Sequence, residues 1–562
     1  MNIYDFVTLK QRTLSGKGKA LVEFFKKIYQ NEYQDKPITA LPYSYKKLYY
    51  INGDRAKFEA HYFDRRKRLA LLQVLAIADE AYLEELEDIL FAIAEEGTWV
   101  LPAHNLTQDN TFDYTMIDLF SSETALYLAE TVYIFKDRLS NDIIERIRNA
   151  VDEKIIKNYE SQIYGFESWT INWAPVCACG VGVSYLLLFP EKFDGVKDRL
   201  FATFQGYANG YDEQGYCEEG MGYWQYGFGM FCQFFNTYVA IKKERPAFLD
   251  SQKLINVLKF AEYARLDDGV YLPFADGGSK RFTPSISMFL LIKNLFKDEF
   301  QLPKMCFLND ENKTLDLSKA LWTKTLYCAD LFMAESDKED KKCTSVYYKD
   351  AQVFIYKTGC YSFTAKGGTN GDGHNHNDVG AFQIVKNSKR LISDYGAGKY
   401  TKDYFWNEKV RYGDEVFVCG SQSHSVPIID GITQAYGKEY GAQVISQDEN
   451  SFVIDIANAY KTNCEKLLVK YVAEEENVNV EYAVNGIKEK VVFRFVSDFA
   501  PKIDGDRVRI EEMQISSSAT VVPKIAKVLF EGRENFDVLY IIDYEVDGNS
   551  AVDVKFNFTF KE

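Results

Sequence analysis

Histidine is scarce in this chain, with five in 562 residues. The side chain that titrates near neutrality and ligates metals is almost missing, so any place where it gathers stands out. Basic excess is missing too. At a net charge of −16 there is no surplus of cations to neutralise phosphates, which argues against nucleic-acid binding. An anionic saccharide is not excluded, because its recognition needs only a local cluster. No apolar run reaches about 18 residues without charges, so no membrane span is expected. The first residues lack a basic segment followed by an apolar core and a small-residue cleavage site. No signal peptide is visible, and a cytoplasmic location is expected. The ten cysteines, Cys177 and Cys179 among them, show neither metal-finger nor disulfide spacing and read as reduced thiols. No strict repeat marks a solenoid.

What the chain does have is apolar content, 46% hydrophobic residues with 39 Tyr and 41 Phe. Most of these rings must be core. Its length implies more than one domain. Up to about residue 330 the apolar period is helical, in the windows 68–96, 123–136, 141–157, 177–189, 228–241, 251–263 and 285–295. The charged segment from Ala334 to Lys342 has no apolar face and is the best boundary. Beyond it the period alternates, as in Val353-Phe-Ile-Tyr, Val491-Val-Phe-Arg-Phe and Val552 to Phe560, with a hairpin-like break at Asn485-Gly486. The expectation is a multidomain α+β protein, with helical residues 1–335 followed by an antiparallel β-sandwich over 336–562.

Three of the five histidines, His374, His376 and His424, fall between Gly371 and His424. After a Gly-rich turn, Ala381-Phe382-Gln383-Ile384-Val385 alternates and predicts a half-buried strand. His374 and His376 then stand at its entrance, where residues two apart share a face. The next strand, Arg390 to Ser393, ends at Asp394. Two imidazoles and a carboxylate make a zinc set with a fourth position left open; the bland alternative is ordinary polar loop residues. In the helical half, polar residues, aromatics and glycines gather at Trp99 to Asn105, at Trp169-Thr-Ile-Asn172-Trp173, and from Glu218 to Gly227. Asn172 could simply cap a helix, and Tyr223 or Tyr226 could be core rings.

The runs His374-Asn-His376-Asn-Asp378-Val-Gly380, Asp394-Tyr-Gly396 and Ser423-His424-Ser-Val-Pro427 resemble the heparinase II/III-like polysaccharide lyases. The three helical-half segments resemble that family's toroid motifs, so the likeness spans nearly the whole chain. It implies an N-terminal incomplete (α/α) toroid before the sandwich. It also implies one chiefly structural zinc per chain, held by His376, Asp394 and His424, while His374 faces substrate.

The implied reaction is β-elimination on a uronate glycoside. Removing the C5 proton builds charge beside a carboxylate, so hydrogen-bond donors must be placed beforehand. Asn172 and His374 can donate. Tyr223 is the expected base and acid by motif position, with Tyr226 as its understudy, and His374 is the candidate base for the opposite stereochemistry. Trp173 stands where some relatives carry a histidine, which directs attention to His104. Glu219 and Arg411 complete the substrate contacts, Arg411 as a carboxylate clamp or as an ordinary exposed arginine. The expected partner is an anionic uronate-containing oligosaccharide, glycosaminoglycan- or alginate-type, cleaved exolytically; neither nucleic acid nor membrane is expected, and a homo-oligomer stays open. Two rivals remain, a glycoside hydrolase using Glu218, Glu219 and Asp276, and a catalytically silent saccharide-binding protein.

Overall fold

The computed structural model describes residues 3–105, 112–276, 282, 284–303, 322–331, 343–401, 404, 411–412, 416–532, 536–548 and 550–560. The chain divides into two units. Met1–Tyr211, Tyr223–Ile255 and Thr283–Ser336 form the first, and Asp212–Gly222, Asn256–Phe282 and Asp337–Glu562 form the second. Two excursions from the helical part of the sequence thus pack with the later strands. The expected boundary segment, 334–342, lies outside the described residues.

The first unit is helical. Residues 68–96 fall into two helices, Ala56–Ala78 and Leu83–Ala94, parted at Asp79, whose side chain accepts the Ala81 N–H at 3.0 Å. The other windows in this unit fall in Leu119–Phe135, Asn141–Val151, Trp173–Leu188, Met221–Lys242 and Ile286–Phe296. Leu119–Phe135 is buried on nearly every side. Its start is set by a capping box, with Asp118 accepting from Ser121 N–H at 2.7 Å and Ser121 Oγ accepting from Asp118 N–H at 2.9 Å. It packs closely on Trp173–Leu188, where a Cβ on Gly180 would lie 2.1 Å from the Ser122 carbonyl oxygen. Glycine is required there. Its buried Glu130 pairs with Lys324 and accepts from Tyr4 and Gln233, so the charge is matched. None of the described helices is long and apolar enough to cross a membrane.

In the second unit, sheets of eight, five and four antiparallel strands share one apolar core. Rings of Phe382, Tyr471, Phe495, Phe556 and Phe558 meet in it. Lys466–Ala473 keeps the alternating burial expected of a strand with one wet face. Phe382–Lys386 does not. It runs between Ser362–Lys366 and Lys389–Ile392 with its first four residues buried, Gln383 included, so the half-buried strand predicted from alternation is a fully buried one. The Asn485-Gly486 break is likewise no hairpin. Gly486 has φ +79° inside the strand Asn477–Ile487, at a bulge just before the chain leaves the eight-stranded sheet for the four-stranded one. A Cβ there would lie 2.6 Å from the Asn463 carbonyl oxygen.

Candidate active site and metal centre

The segment from Gly371 to Ala381 is a succession of turns, and His374 has φ +54°. The extended strand entrance predicted for His374 and His376 is therefore absent. Short side-chain bonds win over strand pairing here, as Asp372 accepts from Thr369 Oγ1 at 2.6 Å and Lys366 Nζ pairs with Asp378 at 2.5 Å. The two histidines still converge, on a carboxylate. His374 Nδ1 donates to Asp276 Oδ2 at 2.7 Å, and His376 Nε2 donates to Asp276 Oδ1 at 3.1 Å. The Tyr404 phenol donates to the same Oδ1, and Arg411 Nη2 lies 3.2 Å from Oδ2. The backbone joins in, with Asp276 N–H on the His374 carbonyl at 3.1 Å. Burial opposes the charge on Asp276, but His374, His376 and Arg411 outweigh it and hold the carboxyl far below the usual carboxylate range. Glu219 Oε1 lies 3.3 Å from His374 Nε2, so this ring has a carboxylate at each nitrogen. Arg411 is buried, not an exposed arginine.

A second cluster adjoins the first through His376. His376, Asp394 and His424 each offer an atom within 4.8 Å of the others, and all three residues are buried. His424 Nδ1 lies 2.8 Å from Asp394 Oδ2, and its Nε2 donates to the Val418 carbonyl at 3.0 Å. His376 spends Nε2 on Asp276. Its Nδ1 is buried without a hydrogen-bond partner, although the Cys419 thiol is near enough to act on the ring. Each imidazole thus has one nitrogen fixed by an oxygen acceptor, the arrangement that orients metal-ligating histidines. Burial opposes the charges here too. His424 and His376 outweigh it and lower Asp394, while Cys419 and Asp276 outweigh it and push His376 up to about 10. Two imidazoles and a carboxylate within reach of one another make a donor set that could hold a metal ion.

The helical unit holds the other candidates. Asn172 stands at the N-cap position of Trp173–Leu188 but makes no side-chain capping bond, so the cap reading fails. Trp173 is half-buried against His104, ring centroids 5.0 Å apart, and against Trp169 at 5.8 Å. His104 Nδ1 donates to the Asp118 carboxylate at 2.8 Å, and the ring stacks on Phe120. On Met221–Lys242, Gly227 lies against Asn172, where a Cβ would be 3.2 Å from the Asn172 Cα. Tyr223 is one turn earlier on the same helix face. Tyr226 turns toward Glu123 instead, and burial together with that carboxylate pushes its phenol well above its ordinary value.

Within the second unit the chain therefore brings Glu219, His374, His376 and Arg411 together around Asp276. Asp276 had been weighed only as a hydrolase carboxylate, and Tyr404 had been missed. The Phe274-Ala-Asp276-Gly-Gly context was the one available signal, an acid closing an apolar run before a glycine pair.

No protein-family model matches this chain, and no curated protein matches it. Solved structures do. It is similar to a heparinase III at 14% identity and TM-score 0.60, over 97% of this chain and 84% of that one. Heparan sulfate lyase HepC from Pedobacter heparinus is similar at 13% identity and TM-score 0.59, over 97% and 88%. Chondroitin AC lyase of Streptomyces coelicolor, in complex with chondroitin sulphate, is similar at 11% identity and TM-score 0.55, over 99% and 82%. At such identities the likeness is one of fold. The helical toroid followed by an antiparallel β-sandwich is the architecture they share.

Proposed function

We propose that this chain is a polysaccharide lyase that cleaves uronate-containing oligosaccharides by β-elimination. The observation that supports the reading is Gly227 against Asn172, with Tyr223 one turn earlier on the same helix face, in a fold shared with lyases. In this mechanism Tyr223, deprotonated beforehand, takes the C5 proton of the uronate, the electron pair left on C5 becomes the C4–C5 double bond as the C4–O bond breaks, and Tyr223 returns the proton to the leaving glycosidic oxygen on the same face. Asn172 donates its amide N–H to the uronate carboxylate and offsets the charge that builds there. Tyr226 is the less available base, because burial beside Glu123 keeps its phenol protonated. In the second unit His374, oriented by Asp276 at Nδ1, is a further candidate donor, or a base for the opposite stereochemistry. His104 and Trp173 supply ring faces for saccharide packing.

Zinc held by His376, Asp394 and His424 would cross-link two imidazoles and a carboxylate, a structural contribution to the segment that carries His374. Proton transfer is assigned to the protein's own side chains. Arg411 is less suited to clamping substrate than the sequence implied, since Nη2 is engaged by Asp276. Of the hydrolase rival's three carboxylates, Asp276 is unsuited as the acid for a similar reason, whereas burial raises Glu218. Asp276 is held ionised by its neighbours.

The test is a panel of glycosaminoglycan and alginate oligosaccharides followed by ultraviolet absorbance of the unsaturated uronate. Absorbance growing with each cleavage supports elimination; reducing ends without absorbance mean hydrolysis. Exolytic action is the finer part of the proposal. A single small unsaturated product from the outset supports it, and a ladder of sizes opposes it.

A further inference from the structure

Asp276 touches both histidines of the His374-Asn-His376 pair with different oxygens. Oδ1 accepts from His376, a ligand of the metal cluster, and Oδ2 accepts from His374, which is not in that cluster. The side chain is fully enclosed, and Tyr404 on Oδ1 and Arg411 on Oδ2 pin the carboxylate from both ends. Its backbone N–H is tied to the His374 carbonyl. A carboxylate anchored this way cannot follow one ring without acting on the other. We propose that Asp276 is a positioning residue that couples the zinc centre to His374, so that metal bound at His376 sets the orientation of the His374 ring. As an outer partner of a metal-ligating imidazole, it also raises metal affinity.

The consequence for turnover rests on the lyase reading; the consequences for metal and ring do not, and they are measured without substrate. Zinc affinity of the chelator-stripped full chain is read by competition with a chromophoric chelator, for wild type, Asp276→Asn and His374→Ala. Asp276→Asn is expected to weaken zinc by ~10–100-fold, and His374→Ala, because the coupling is reciprocal, to change it by less than that. Histidine-selective isotope labelling gives only five ring environments to assign. Zinc added to the wild type should move the His374 signals together with those of His376; in Asp276→Asn it should move His376 and leave His374 nearly still. Wild-type zinc affinity in Asp276→Asn, an equal His374 response in that variant, or a wild type that binds no zinc would each overturn the proposal. Should Asp276→Asn not fold, Tyr404→Phe takes its place. It removes a donor from the same Oδ1 and is expected to weaken zinc less but measurably. Unchanged affinity there overturns the proposal equally. A chain that shows the coupling but yields no unsaturated product refutes the lyase reading alone.

Discussion

The half-buried and the enclosed candidate residues are built differently, and histidine shows how. The His104 and His374 side chains keep 14% and 20% of their surface exposed, whereas those of His376 and His424 keep none. An enclosed imidazole can hold geometry but cannot meet a sugar. Around His104 the partners are rings, Phe120 and Trp173, with one carboxylate behind. Around His376 they are charges, Asp276 and Asp394, in an enclosed interior where an unmatched charge is costly. The contrast separates contact from support. Among these histidines the half-buried rings are available to substrate, and the enclosed ones fix where neighbouring groups stand.

The sharpest way to break this comparison is Tyr223→Phe. The ring and its packing remain and the transferable proton goes. Because one group serves both transfers, turnover should fall by ~10³-fold or more with an unchanged melting temperature. Tyr226→Phe should do the reverse, disturbing the contact with Glu123 while leaving most of the rate. Wild-type production of unsaturated product by Tyr223→Phe would move proton transfer to Tyr226 or His374. On the support side, His376→Ala removes one member of an enclosed charged cluster. It should lose the metal and about 3–4 kcal/mol of stability. Metal analysis of wild type should give about one zinc per chain; full retention by the variant would sink the ligand assignment.

The same contrast explains what could be read before the fold was known. The metal window was legible because histidine is rare and its residues lie close in sequence. Amphipathic stretches such as 285–295 were legible through their 3.6-residue period. Asp276 was not. It lies 98 residues from His374 and 128 from Tyr404, in a loop without period, so its role exists only through tertiary convergence. The reading of residues 371–381 as extended failed for a local reason. Glycine backbones and Asp and Asn side chains make turns there, and the pairing of His374 with His376 comes from Asp276 rather than from strand alternation.

A milder variant is Asn172→Ala, at a side chain that is itself buried. Losing one preorganised donor to a developing charge should cost about 3 kcal/mol in transition-state stabilisation. The loss should fall on kcat more than on KM, if the amide is used chiefly as charge builds. An effect confined to KM would make Asn172 a binding residue only.

The smallest expected change probes the spacing between Tyr223 and Asn172. Alanine is favoured over glycine inside a helix by about 1 kcal/mol, so Gly227→Ala on propensity alone should stabilise Met221–Lys242. The site predicts otherwise. The added Cβ would sit 2.6 Å from the Tyr207 hydroxyl and 3.2 Å from Asn172 Cα and Cβ, while Tyr207 Oη is already bonded to Tyr211 Oη at 2.5 Å. Tyr207 must swing its hydroxyl away, and Asn172 must give by a few tenths of an ångström. Misplacement of a positioned group by about 1 Å can cost ~10²-fold, so this smaller shift should cost about tenfold in kcat. The melting temperature should stay level or fall slightly, as the clash offsets the gain in helix propensity. A rise in melting temperature with full turnover would show that the helix face around Gly227 tolerates the methyl. The proposed partnership of Tyr223 and Asn172 would then have more slack than catalysis by one preorganised pair allows.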